Sequence, residues 1–236
     1  MPRRSAYSIA LAAFAVTVAA AHPAFALPRS VASFVLGPAM VRADVVARDS
    51  GVVHLYRVDR GRIRSLGAGS LVLRERDGAN VTVPIAGDAV VTGVKRGRQL
   101  GVLALRRGMV VSTVRDGNDA AERVQVLRAA LPLPPALVSS LFAAKMARAD
   151  IVVQSAGASR LYRVDRGRIR SIGADSVALR ERDGTLQTIP IDEDAVVTGI
   201  GRGRLRRGVL AALKRNMLIE TVREGDQPAD HVHVTG

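Results

Sequence analysis

Alternating apolar and polar residues recur over most of the chain, which is the pattern of half-buried β-strands. Residues 52–66 read as one long strand interrupted near Gly61, because glycine inside a strand marks a bulge or a sharp bend. The bulge shifts the alternation by one residue, so Tyr56 and Val58 are expected to face inward together with Ile63. A long, bent strand is therefore expected as the first strand of the unit.

Four shorter strands are expected to follow the long one. They span residues 70–76, 80–85, 109–115 and 122–127. Asp77-Gly78 lies between the first two and predicts a tight hairpin, since glycine tolerates the positive φ that such a turn needs. Asp116-Gly117 predicts a second turn, between the last two strands.

The chain contains an internal duplication. Residues 55–78 (LYRVDRGRIRSLGAGSLVLRERDG) and 161–184 (LYRVDRGRIRSIGADSVALRERDG) are identical at 20 of 24 positions, and the match extends back to Met40 and Met146. A period of this length indicates a duplicated domain and not a short solenoid repeat. The proline-rich join LPLPP at 131–135 breaks regular structure between the copies.

Short helices are predicted at two places in each copy. One covers about 99–106 and ends at Gly108, whose counterpart in the second copy is Asn216. Glycine and asparagine are the residues that most easily adopt the left-handed conformation after a helix, so the two residues meet one backbone requirement. The other helix covers about 136–146, and Pro38 is expected to shorten its counterpart in the first copy.

The fold class expected from this order is all-β with short helices. The order β-β-β-α-β-β with a long first strand is that of the OB-fold, a five-stranded Greek-key barrel. Two tandem five-stranded OB-like barrels are predicted, one over 27–129 and one over 130–236. Another small barrel or sandwich of five or six strands is the alternative.

The first 26 residues have the pattern of a secretory signal peptide. Arg3 and Arg4 precede an uncharged apolar run, and Ala24-Phe25-Ala26 is a small-x-small cleavage signal that would leave Leu27 as the first residue. The alternative is an uncleaved anchor, since residues 6–26 are long enough to span a bilayer. Cleavage predicts a secreted or cell-envelope protein.

Composition adds a strong positive charge to this outline. The chain has 32 Arg and 3 Lys, a formal net charge of +14, no Cys and only 3% aromatic residues. Absence of cysteine excludes disulfides, thiolate metal sites and cysteine nucleophiles. The charge favours polyanionic partners such as nucleic acid, anionic lipid or acidic wall polymers, although a solvated surface is the simpler interpretation.

The second copy also resembles a known kind of domain. GRIRSIGADSVALRERDG followed by TIPIDEDAVVTG is similar to an uncharacterised family of secreted bacterial domains, a domain of unknown function. The resemblance covers roughly 55–127 and 161–234, and Asn216 departs from the glycine of the family's last motif. It implies an OB-like barrel and no activity.

Arginines form the main candidate site, because outward-facing Arg62 and Arg64 would adjoin the next strand if the two strands pair. The candidate polyanion-binding residues are Arg62, Arg64, Arg74, Arg76, Lys95, Arg96, Arg98, Arg168, Arg170, Arg180, Arg182, Arg202, Arg204, Arg206 and Arg207. OB-folds bind nucleic acid across the face of strands two and three. Base stacking is not expected, since single-strand binders need aromatic platforms that the mature chain lacks.

Two other candidates are weaker. His231 and His233 would share one face of a strand and suit a metal ion, but two histidines fall short of the usual ligand number. Glu75 with Asp77, repeated as Glu181 with Asp183, suggests an acid and a base. The hairpin itself explains the aspartates.

No catalytic or metal residues are therefore assigned, and no cofactor is expected. The function expected is an exported, non-enzymatic binding or structural module, with an anionic polymer or a cell-envelope component as its partner. An extracellular hydrolase without a recognisable motif is the alternative. A pocket lined by acidic groups and histidine would distinguish the hydrolase.

Overall fold

Twelve β-strands make up most of the described chain in the computed structural model, which describes residues 35–93, 99–127, 133, 138, 141–142, 145–199 and 209–235. The first six strands are β1 Met40–Asp49, β2 Val52–Gly67, β3 Ser70–Glu75, β4 Asn80–Thr92, β5 Val110–Asp116 and β6 Ala121–Leu127. The second six are β7 Met146–Ser155, β8 Ala158–Ile172, β9 Ser176–Glu181, β10 Leu186–Thr198, β11 Leu218–Glu224 and β12 Ala229–Val234. The expected class, all-β with short helices, is confirmed.

The strand pairings form one closed ring in each half of the chain. In repeat one, β2 pairs with β3, β3 with β4, β4 with β6, β6 with β5, and β5 again with β2. Only the β4–β6 pairing is parallel. Strands β8 to β12 repeat the ring in repeat two, with β10 and β12 parallel. The duplicated sequence thus gives a duplicated topology.

Each repeat has one strand more than the sequence predicted. Strands β1 and β7 precede the rings, and each forms an antiparallel pair with the first half of the long strand that follows it. In β1, Val41, Ala43, Val45 and Ala47 are buried in alternation with charged and exposed positions. The prediction of five strands per unit was incomplete because small residues and charges weaken the hydrophobic contrast of this segment.

The two extra strands join the repeats to each other. Strands β1 and β7 are antiparallel partners, and Asp44 lies opposite Asp150, its own counterpart in the duplication. On either side of this pair, Ala43 lies opposite Ile151 and Val45 opposite Ala149. These two pairs are equivalent, because Ala149 is the counterpart of Ala43 and Ile151 is that of Val45. The repeats therefore meet around a local two-fold axis, as identical subunits do in an isologous dimer.

Three separate hydrophobic clusters among the described residues stabilise this arrangement. One lies within each ring and includes Leu73 in repeat one and Leu179 in repeat two. The third contains buried residues from both repeats, among them Val45, Phe142 and Ile151. Two of the clusters are thus each formed within one repeat, and the third, the shared cluster, is formed by both repeats.

The long strand is continuous where the sequence predicted a break. Strand β2 runs through Gly61, and its register shift falls between Ile63 and Ser65. Gly61 is required for another reason: a Cβ there would lie 2.8 Å from the backbone oxygen of Arg74. The expected inward positions are confirmed for Val58 and Ile63, which are 0% and 1% exposed.

The predicted turns have the expected backbone conformations. Gly78 and Gly184 have φ of 91° and 98° in the two hairpins. Gly108 and Asn216 have φ of 89° and 70°, so two residue types do meet one left-handed requirement. The predicted left-handed conformations at these four positions are thus confirmed.

The helices and one strand differ from the prediction. Residues 99–106 contain a 3₁₀ turn, Val102–Ala104, and the corresponding part of repeat two contains the helix Val209–Ala212. The predicted helix over 136–146 stops earlier, because Met146 already belongs to β7. Strand β4 extends past residue 85 to Thr92, since its second half pairs with β6.

Because both repeats contribute to the shared cluster, we expect an isolated repeat to associate with a second copy of itself. Residues 27–129 expressed alone expose the apolar face and the open hydrogen-bonding edge of β1. We expect this fragment to show β-type circular dichroism and to form a homodimer through β1, because the native pairing is two-fold symmetric. Sedimentation equilibrium should give the dimer mass, and Val45→Lys should abolish it. A folded fragment that stays monomeric at high concentration would contradict the expectation.

Candidate anion-binding faces

Exposed arginines occupy corresponding positions on the two rings. We name the repeat-one face Arg62, Arg64, Arg74 and Arg76, and the repeat-two face Arg168, Arg170, Arg180 and Arg182; all eight residues are exposed. The sequence predicted a basic stripe on condition that the strands pair, and they do. Arg62 lies directly opposite Arg74, and Arg168 opposite Arg180.

Few contacts within the protein balance these charges. Arg62 donates to the backbone oxygen of Gly108 at 2.7 Å, and Arg168 donates to that of Asn216 at 3.0 Å. These are neutral acceptors, so the guanidinium charges remain. Like charges directly opposite on neighbouring strands are destabilising. The paired Arg62 and Arg74, and likewise Arg168 and Arg180, are exposed and thus present like charges to solvent.

The predicted basic loops cannot be placed. Lys95, Arg96, Arg98, Arg202, Arg204, Arg206 and Arg207 lie outside the described residues. Their contribution to anion binding stays a prediction from the sequence alone.

The carboxylates of the β3–β4 hairpin have a structural partner that the sequence did not suggest. The Arg42 guanidinium donates to Glu75 Oε2 at 2.6 Å and to Asp77 Oδ2 at 2.8 Å. Asp77 also accepts from the backbone N–H of Ala79 at 3.0 Å, which is the turn role expected for it. We call Arg42, Glu75 and Asp77 the repeat-one ionic bridge.

The ionic bridge recurs in repeat two with the same geometry. Arg148 donates to Glu181 at 2.5 Å and to Asp183 at 2.6 Å, and these residues form the repeat-two ionic bridge. Asp183 accepts from the backbone N–H of Thr185 at 2.9 Å. The recurrence of Arg42 as Arg148 in the duplication was a signal for this role, but it was missed because β1 was not predicted.

The position of the ionic bridges follows from the strand order. Strand β1 pairs with β2 as far as Asp59, and β3 pairs with β2 from Gly61 onward. Strands β1 and β3 therefore lie end to end along one side of β2. Arg42 near the start of β1 reaches Glu75 at the end of β3, so it fastens the extra strand to the ring.

Each bridge sets two carboxylates against one guanidinium, which leaves an excess negative charge. Burial raises the pKa of Glu75 to about 7, with Arg42 opposing and Asp77 adding to the rise. Burial likewise raises the pKa of Glu181 to about 7. The Oε1 atoms of both glutamates are buried without a hydrogen-bond partner. The glutamate is thus the member of each bridge that takes up a proton.

A cavity of about 340 Å³ lies beside the repeat-two arginine face. Arg168, Arg170 and Arg180 line it together with Glu181 and the apolar side chain of Leu218. The pocket of acidic groups and histidine that would indicate a hydrolase is not what this cavity presents: its described lining is mostly arginine, with a single carboxylate.

Aromatic side chains do not form a stacking platform among the described residues. Tyr56 and Tyr162 are partly buried against the shared cluster, and Phe142 is 1% exposed. Phe34 lies outside the described residues. The tyrosines therefore lie at the rim of the core, and Tyr56, which was expected to face inward, is only partly buried.

His231 and His233, the candidate metal ligands, each contact another side chain. His231 lies 3.0 Å from Asp230, and the ring of His233 lies 2.6 Å from the hydroxyl of Thr198. Within the part of the chain that the structure describes, no three His, Asp or Glu side chains are grouped so that they could hold a metal ion. None of the helices described there is both long and apolar enough to cross a membrane.

Comparisons with protein-family profiles, with curated proteins and with solved structures found no match to this chain.

Because of the raised pKa values of Glu75 and Glu181, we expect the free energy of unfolding to fall as pH rises. Between the unfolded pKa of 4.5 and a folded pKa of about 7, the folded chain holds protons on Glu75 and Glu181 that the unfolded chain releases. A difference of one in pKa corresponds to about 1.4 kcal/mol. Urea unfolding should therefore give a lower free energy at pH 8 than at pH 5.

Neutral substitutions test this assignment. Glu75→Gln with Glu181→Gln should flatten the pH dependence, because the amide mimics the protonated acid. The matched control is Glu122→Gln with Glu193→Gln, since both control residues are exposed. An unchanged pH dependence in the bridge variant would assign the titration to other groups.

Proposed function

We propose that this chain is an exported, non-enzymatic protein whose two arginine faces bind an anionic polymer of the cell envelope or its surroundings. The observation that carries the proposal is the cross-strand pairing of Arg62 with Arg74, repeated as Arg168 with Arg180. Each pairing holds like charges together at a cost to the free protein. A bound polyanion would remove that cost.

The proposed architecture is a pair of OB-like barrels, one in each repeat. Support comes from the closed ring of five strand pairings with one parallel pair, which is how a five-stranded Greek-key barrel closes. The similarity to secreted bacterial domains of unknown function belongs to the same proposal. Arg74 and Arg180 would lie on the second strand of each barrel, and OB-folds use strands two and three for elongated ligands.

Binding is favoured over hydrolysis by the residues that line the cavity. Glycoside hydrolysis generally needs two carboxyl groups placed across the scissile bond. The described lining contains Glu181 as its carboxylate, and Arg148 already holds one oxygen of that group. Arginines that line a cavity suit an anion that is held and not cleaved.

Salt-dependent retention on immobilised heparin tests the proposal. The protein should bind at low salt and elute as salt rises, because the contacts are between exposed charges. Replacing Arg62, Arg74, Arg168 and Arg180 with Ser should lower the elution salt concentration severalfold without lowering the melting temperature, since exposed charges contribute little to stability.

A control of equal charge loss separates the faces from net charge. Arg48→Ser with Arg123→Ser removes two exposed arginines outside both faces. It should shift elution less than Arg62→Ser with Arg74→Ser does. Passage of the unsubstituted protein through the column at low salt without retention would refute the proposed function.

Export is proposed together with cleavage of the leader, and residues 1–34 lie outside the described residues. The Ala24-Phe25-Ala26 signal predicts that the exported protein begins at Leu27. N-terminal sequencing of the exported material is the measurement. Material that begins at Met1 or Pro2 in a membrane fraction would instead identify an anchor.

A further inference from the structure

The cavity beside the repeat-two face is large enough for one small molecule, or for one monomer unit of a polymer. Its volume of about 340 Å³ lies at the lower end of the range for small-molecule pockets. Met146 and Leu218 supply apolar surface, and all four arginines of the face supply positive charge. The lining thus combines a cationic side with an apolar one.

One arginine of this cavity, Arg170, has an acceptor fewer than its counterpart in repeat one, Arg64. Arg64 lies 3.5 Å from the side-chain oxygen of Asn80. In repeat two the position of Asn80 is taken by Leu186, which is 63% exposed and cannot accept a hydrogen bond. Among the described residues, no side-chain oxygen replaces that acceptor for Arg170.

A buried acceptor lies in the same lining. Glu181 is 3% exposed, its Oε2 is bonded to Arg148, and its Oε1 has no hydrogen-bond partner. A buried polar atom without a partner is destabilising, so a ligand group that bonds to it gains free energy. A hydroxyl group suits this atom, because it can donate to the carboxylate or accept from the protonated acid.

We propose that the repeat-two cavity binds one acidic sugar unit. Its carboxylate or phosphate contacts the guanidinium groups of Arg170 and Arg180, a ring hydroxyl bonds to Glu181 Oε1, and the less polar ring face lies against Leu218. The inference rests on the proposed function and deepens it, because the anionic polymer becomes an acidic polysaccharide with one unit held in repeat two.

Calorimetric titration of the full protein with four probes tests this. The probes are galacturonate, glucose 6-phosphate, neutral galactose and inorganic phosphate. We expect one of the two acidic sugars to bind with one site per chain, and the neutral sugar and phosphate to bind at least about tenfold more weakly, a difference of about 1.4 kcal/mol. The acidic sugar that binds identifies the anionic group as carboxylate or phosphate.

The duplication supplies a matched pair of variants. Arg170→Ser with Arg180→Ser should weaken acidic-sugar binding at least about tenfold, because the charged hydrogen bonds to the anion are lost. The same changes in repeat one, Arg64→Ser with Arg74→Ser, should lower heparin retention while the acidic sugar still binds. Melting temperatures of both variants report whether the fold is kept.

The possible failures are distinguishable. If no acidic sugar binds while heparin is still retained, the sugar site is refuted and the polyanion proposal stands. Equal binding of all four probes, or equal loss of sugar binding in both variants, would also refute a specific site in repeat two. If heparin is not retained either, the proposed function fails with it.

Discussion

The antiparallel pairing of β1 with β7 is the interaction on which the rest of the arrangement depends. Each ring satisfies its own strands, so the extra strand is the element of a repeat that is left with an open edge. Pairing with its counterpart closes that edge and buries the shared cluster around Val45 and Ile151. This pairing and the shared cluster together fix the relative position of the two arginine faces.

The β3–β4 hairpin connects that scaffold to the proposed site. Successive side chains of a strand point to opposite faces, so exposed Arg74 is followed by Glu75, which is 3% exposed. Arg74 belongs to the arginine face and Glu75 to the ionic bridge. The same short segment therefore anchors β1 inside the protein and presents charge outside it.

Turn conformations and the outward or inward direction of strand residues could be predicted from the sequence, whereas the pairing of β1 with its neighbouring strands could not. The hairpin glycines, the left-handed Gly108 and Asn216, and the outward Arg62 follow from backbone preference and alternation, and the structure confirms each. Strand β1 was missed because its buried face mixes alanines such as Ala43 with valines, which weakens the hydrophobic contrast along the segment. The role of Arg42 was then hidden too, since it depends on β1 and β3 lying end to end, a relation between segments far apart in sequence.

The local two-fold axis between the repeats has a consequence for any linear ligand. Such an axis reverses direction, so the two arginine faces run in opposite directions and do not repeat in the same direction along one line. A polysaccharide has distinguishable ends, and one straight chain that crosses both faces would meet them in opposite senses. Equivalent contacts at both faces would instead require two chains that run antiparallel, in which case one protein molecule would join them.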